Sequence, residues 1–333
     1  MLKIISHLIP ILLINAVLFT QSEDSLLKQI SEIEVSLDSP IESEENLYLN
    51  TVSFQSFYDL LSPMGEWIQI TKEEIDEDLN EGEGQSFSSF YNDDDELLFI
   101  WKPKVNEDWK PYLNGRWEYT EHGWLWVSDD AWGNSTYHYG RWWRSPKYGW
   151  VWLPGYTWAP AWVRWRISND FVGWVALTPK AKWKIEDGIT ETNYRFKDND
   201  ADWVFVEKQS FVNEINKTNI VNSEKNASLI KNSNSVTHIK AENDAIVNKG
   251  PDAGDIEKRT GKKLYRKKLR FRKGHGNALI GEGDITLNRE SFKKYDASNN
   301  RKIIDKPKKF KRSEKVKKIL KKRKIQKRKG FRR

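Results

Sequence analysis

The sequence predicts an all-β fold, a small antiparallel sheet in a barrel-like or sandwich domain built from Trp-rich hairpin repeats, with disordered or partly helical flanks. Three observations carry this expectation. All 17 Trp of the 333-residue chain lie between Trp67 and Trp203. A pattern recurs at a spacing of about 25 residues: Arg116-Trp117 returns as Arg141-Trp142 and again as Arg164-Trp165. Gly and Pro interrupt this region too often for helical periodicity, and short polar turns separate the aromatic runs.

Each repeat reads as one hairpin. Gly123-Trp124-Leu125-Trp126-Val127 recurs as Gly149-Trp150-Val151-Trp152-Leu153 and, more weakly, as Gly173-Trp174-Val175-Ala176-Leu177. The turns are Thr120–Gly123, Ser145–Gly149 and Ser168–Asp170. Side chains alternate along a strand, so Trp150 and Trp152 face one way and Val151 and Leu153 the other. A sheet apolar on both faces must cover both, or leave one for a ligand.

Along the chain, residues 1–22 read as a signal peptide, with Lys3 before an apolar run at 4–19 that is short for a spanning helix. Residues 23–53 are acidic and polar, with a short helix expected near 24–37. The Trp-rich domain spans about 54–185 and carries an acidic loop at 71–96. Residues 186–212 supply a last strand, 213–254 a polar linker, and 255–333 a basic tail with a basic helix at 313–329. Charge is strongly segregated: residues 22–96 hold 21 Asp/Glu against two Lys, and residues 306–333 hold 17 Lys/Arg against one Glu. The chain has no Cys, which excludes disulfides, thiol nucleophiles and Cys-ligated zinc.

The motif strings FYDLLSPMGEW (57–67), WKPKVNEDWKPYLNGRW (101–117), GWLWVSDDAWG (123–133), YHYGRW (137–142), YGWVWLPGYTWAPAWVRWR (148–166) and VGWVALTP (172–179) resemble a family of exported bacterial Trp-rich domains catalogued only as a domain of unknown function. The resemblance covers residues from about 54 to 180 and implies an envelope or secreted protein. The acidic insert and Asn134-Ser135-Thr136 depart from the family pattern, and the basic tail lies outside it.

Catalytic patterns are scarce. No phosphate loop, nucleophile elbow or HExxH helix is present. His122 and His138 flank one repeat and would need Asp129 or Asp130 to complete a metal site, a spacing too sparse to expect one. Asp129 and Asp130 are adjacent, so strand geometry points them apart and a turn is the expected role. No cofactor, metal or catalytic residue is expected.

Binding is the expected activity. Any one Trp is expected in the core, yet the array exceeds what such a domain comfortably buries, so an exposed aromatic face is expected. Its candidates are Trp117, Trp142, Trp143, Trp158, Trp162, Trp165, Tyr137, Tyr139 and Tyr156, with Arg116, Arg141 and Arg164 beside them. Lys317, Lys318, Lys321, Lys322, Arg323 and Lys324 are the candidates for polyanion binding. The expected partners are an envelope glycan or a protein, with an anionic polymer or lipid headgroups on the tail. An envelope enzyme acting on glycans and, without export, a nucleic-acid-binding protein are the alternatives.

Overall fold

The computed structural model describes residues 54–79, 97–190 except 182 and 185, 199–242, 245–273, 278–289 and 311–312. The expected signal peptide, the acidic segment and the basic helix, with all six Lys/Arg candidates at 317–324, lie outside the described residues. Among those described, no helix is long and apolar enough to cross a membrane.

In chain order the elements are α1 (Phe54–Leu61), β1 (Gly65–Thr71), α2 (Lys72–Asp78), β2 (Leu97–Pro103), β3 (Gly115–Thr120), β4 (Gly123–Ser128), α3 (Gly133–Thr136), β5 (Arg141–Ser145), β6 (Gly149–Leu153), β7 (Val163–Ile167), β8 (Phe171–Ala176) and β9 (Ile189–Thr190). They continue with β10 (Val204–Glu207), α4 (Asn226–Lys231), β11 (Asn234–Ser235), β12 (His238–Glu242), β13 (Ala245–Asn248), α5 (Ala253–Thr260), β14 (Lys268–Lys273), β15 (Leu279–Ile280), β16 (Asp284–Arg289) and β17 (Lys311–Arg312). The fold is all-β, mostly antiparallel, with short helices.

The three repeats are hairpins β3–β4, β5–β6 and β7–β8, and each belongs to a different sheet. The strand orders are β3-β4-β13-β12-β9, β17-β1-β2-β6-β5 and β10-β8-β7-β11, and a fourth sheet is ordered β14-β16-β15. The repeat has one structural meaning in all three. It sets a Trp opposite a Trp across the hairpin: Trp117 with Trp126, Trp142 with Trp152, Trp165 with Trp174. In the second sheet the row extends to Trp101 and Trp67 on β2 and β1. All these rings enter one aromatic core. They meet mainly edge-to-face or tilted, as for Trp117 and Trp126 at 4.9 Å and Trp117 and Trp165 at 4.5 Å, the arrangement that the ring quadrupole favours.

An apolar second face is covered in the same way. Ile68, Ile70, Leu98, Ile100, Val151 and Leu153 alternate with the inward Trp of their strands and form a separate cluster. Ile75 on α2 and Leu79 after it close over that cluster. The acidic stretch at 71–96, expected as a loop, thus opens as a helix. Thr71 and Glu74 form a reciprocal capping box and Ile75 is fully buried.

The largest departure lies beyond residue 185. The stretch expected as a polar linker contains β11, β12, β13 and α4. The β13 strand bridges to β4 in parallel, β12 pairs with β9, and β11 pairs with β7. Phe211 lies within ring contact of Trp117, Trp124, Trp165 and Trp174. Residues 255–289, expected as basic tail, hold most of α5 and the fourth sheet, whose Leu269, Phe271, Ile285 and Leu287 join the central core. The expected polar flank is therefore a structural half of the domain. Only its basic surface resembles a tail.

Two turn glycines show how tightly this second half is held. Gly123 has φ +81°, and a Cβ there would sit 1.9 Å from the Asn248 carbonyl oxygen. Gly149 has φ +74° but faces open space. Gly149→Ala is expected to cost about 1–2 kcal/mol, the left-handed strain alone. Gly123→Ala is expected to cost clearly more than roughly 2 kcal/mol, because the β4–β13 bridge must also open. Urea unfolding of the two variants side by side checks this.

Candidate functional site

The expected exposed aromatic face is absent. Trp117, Trp142, Trp143, Trp158, Trp162, Trp165, Tyr137 and Tyr139 are all buried, and of the nine candidates only Tyr156, 42% exposed, reaches solvent. Part of the reason is the chain beyond residue 185, where Phe211 covers Trp117 and Trp165, Phe271 meets Trp158, and Ile239 and Ile246 join the cluster of Trp162. Trp142, Trp143, Tyr137 and Tyr139 are buried by the hairpins, α1 and β1–β2 themselves. Several ring nitrogens are used inside the fold. Trp101, Trp142, Trp152, Trp162 and Trp174 donate to the carbonyls of Leu61, Thr136, Tyr139, His138 and Tyr112, each at 2.9–3.0 Å. Trp side chains thereby fasten loops to the core as well as fill it.

The arginines of the repeat divide. Arg141 is buried with its guanidinium 3.5 Å from the centre of the Trp162 ring, and Arg164 lies 5.7 Å from that of Trp203. Arg116 pairs with Glu118 at 3.2 Å. The first two are cation–π contacts.

A polar network runs through the core. Tyr112, at φ 60°, donates to the Tyr137 carbonyl at 2.8 Å and accepts from the Trp162 amide at 3.1 Å. Tyr137 donates to a carboxylate oxygen of half-buried Asp130 at 2.5 Å. Burial raises the Asp130 carboxyl above the usual range, against the hydrogen bonds from Tyr137 and Asn114, and it holds both phenols protonated. Asp129 is exposed, and Asp130 donates its amide to the Ser128 hydroxyl, as in the expected turn.

His122 and His138 do approach one another, but Trp158 lies between them. The His138 ring stacks on Trp158 at 5.5 Å, and the His122 ring meets it edge-on at 6.1 Å. Among the described residues no three His, Asp or Glu side chains gather as metal ligands. Nδ1 of His138 donates to the Ala159 carbonyl at 3.0 Å. Burial lowers this ring to about 4, although backbone hydrogen bonds at Ala159 and Pro160 act the other way.

The surface that remains available is basic. Helix α5 docks through buried Ile256 and two ion pairs, Lys208 with Asp255 at 2.8 Å and Arg259 with Asp170. From its last turn into β14, the chain presents Lys258, Lys262, Lys263, Arg266, Lys268 and Arg270, all exposed. Tyr265 stands among them at 66% exposure. Arg270 pairs with Asp284, but no acidic side chain among the described residues lies within ion-pair reach of Lys258, Lys263 or Lys268. The period-two pattern Leu269-Arg270-Phe271-Arg272 was the legible signal for this strip. It places Leu269 and Phe271 inward and the arginines outward.

No curated protein and no solved structure matches the chain. Residues 85–181, from within the acidic insert through the third hairpin, match the model of a family of unknown function, DUF6600, over the stretch that holds most of the Trp-rich motifs.

Proposed function

We propose that the protein is an exported, non-catalytic binding protein of the cell envelope that holds an anionic glycan on the basic strip at 258–270. The observation that carries this reading is the strip itself. Six exposed cations and one exposed Tyr line the path from α5 into β14, both anchored in the core through Ile256, Leu269 and Phe271, while the Trp array is consumed as scaffold. Fixed cations attract a polyanion by releasing its counterions, without sequence readout. The apolar N-terminal run supports export, and export favours glycans as the polyanion in reach. The sequence adds a further basic run at 306–333, which raises the number of cations per chain that a polyanion can meet.

The test is retention of the full chain on an immobilised polyuronate across a salt series. Retention is expected to fall steeply with salt. The Lys258→Glu/Lys263→Glu/Lys268→Glu variant, with an unchanged circular dichroism spectrum, is expected to bind at least about tenfold more weakly. Salt-insensitive retention, or wild-type retention by that variant, would remove the strip as the binding surface. Tighter binding of single-stranded DNA than of polyuronate, lost in Tyr265→Ala, would replace the glycan with nucleic acid.

A further inference from the structure

A second surface feature lies at the start of the middle hairpin. Arg141 opens β5 opposite Leu153 on β6. Next to it the backbone folds back on itself: a Cβ on Gly155 would come within 2.8 Å of Gly140, and Gly140 has φ +67°. The two glycines pack backbone against backbone, with no room for a side chain at either position, and a hollow opens beside them. The hollow has a volume of about 30 Å³ and is lined by Arg141, Tyr156, Thr157 and Trp183 among others. Roughly 10–15 Å³ on this measure holds one water, so the hollow takes two oxygen-sized atoms.

Its chemistry is specific. Arg141 is only 4% exposed, stacks on Trp162, and donates to the Gly140 carbonyl at 2.7 Å and to the Ala181 carbonyl at 3.5 Å. Trp183 meets the far side of this stack, 5.8 Å from Trp162 and edge-on. A guanidinium held by ring stacking keeps a planar fork of donors in one orientation, the geometry that matches the two oxygens of a carboxylate. Tyr156 stands at the mouth and is the one exposed ring of the repeat region's nine candidates. A ring in that position gives a flat apolar platform to whatever carries the carboxylate.

We propose that this hollow is a binding site for the carboxylate of an acidic sugar, with two oxygens seated toward Arg141 and the sugar ring lying on Tyr156. The choice of a sugar as carrier rests on the glycan reading above; the carboxylate seat rests on the hollow alone.

The test follows the Trp183 indole and Arg141 Nε signals of the isotope-labelled full chain by NMR, titrated separately with glucuronate, glucose and acetate. Glucuronate is expected to shift both signals saturably, and at least roughly fivefold more tightly than acetate, while glucose leaves them in place. Tyr156→Ala, at an exposed position, is expected to remove that advantage without affecting acetate. Thr157→Glu, which sets a negative charge at the rim, is expected to weaken both. No saturable shift with glucuronate would overturn the site. Equal affinity for acetate and glucuronate in the wild type would overturn the sugar. Loss of polyuronate retention in the Lys258/Lys263/Lys268 variant with these shifts intact supports two independent sites. Shifts confined to residues 258–270 would overturn the hollow and leave the strip.

Discussion

Replacing Asn248 by Leu is expected to destabilise the domain by roughly 2–6 kcal/mol, since two buried polar groups lose partners at about 1–3 kcal/mol each. Asn248 is completely buried, accepts from the Trp165 ring nitrogen at 2.7 Å and donates to the Ala161 carbonyl at 3.1 Å. Its own amide donates to the His122 carbonyl at 3.0 Å. One side chain and one amide thus join the first hairpin, the third hairpin and β13. Leu has the same branching and number of side-chain heavy atoms but offers neither donor nor acceptor. Asn234→Ala, at an exposed position in β11, is the control and is expected to stay within about 0.5 kcal/mol of wild type. Chemical denaturation followed by Trp fluorescence measures both. The same bonds predict that a chain ended after residue 185 does not fold, because Phe211, Ile239, Ile246, Asn248 and Ile256 go with the missing part. A cooperative unfolding transition in that fragment, or an Asn248→Leu variant as stable as wild type, would refute the dependence of the Trp core on the second half.

Acidification is expected to unfold the protein largely through one histidine. His138 is buried neutral, and its folded value of about 4 lies below the ordinary 6.5. Between these values the unfolded chain binds a proton that the folded chain refuses, so stability falls as pH drops through that window. Fully expressed, the loss is about 3 kcal/mol by pH 4. Above 6.5 both states are neutral and this contribution is complete. Asp130 works in the opposite direction, because its raised carboxyl takes up its proton in the folded state first. The variant His138→Asn keeps a donor for the Ala159 carbonyl and does not titrate. It is expected to lose stability at pH 7 through poorer packing on Trp158, and to show a much flatter stability profile from pH 7 to 4. An unchanged slope in that variant would assign acid unfolding to other groups.

The sequence by itself determined the local elements. The Gly-Arg-Trp and Gly-Trp-φ-Trp-φ repeat, with φ an aliphatic residue, marked three hairpins, and all three form with turns at the expected residues, because strand alternation and turn chemistry are local. Two apolar faces per sheet were legible for the same reason, and both are covered. The tertiary structure alone decided what covers them. Residues 213–254 are rich in Asn, Lys and Ser, yet short apolar patches within them, such as Ile239 and Ile246, pair against a template already built by the hairpins. A two- to five-residue strand needs little periodicity when its partner strand supplies the register, so composition read it as linker. That cover then reversed the fate of the Trp array. Sixteen Trp in 54–185 exceed what such a segment can bury alone, but not what it buries beneath residues 199–289. The aromatic face expected for a ligand became core, and the exposed chemistry moved to a basic strip running from α5 into the added sheet and to the hollow beside Arg141. Burial depends on contacts between residues far apart in the chain, which is why no local pattern could foretell it.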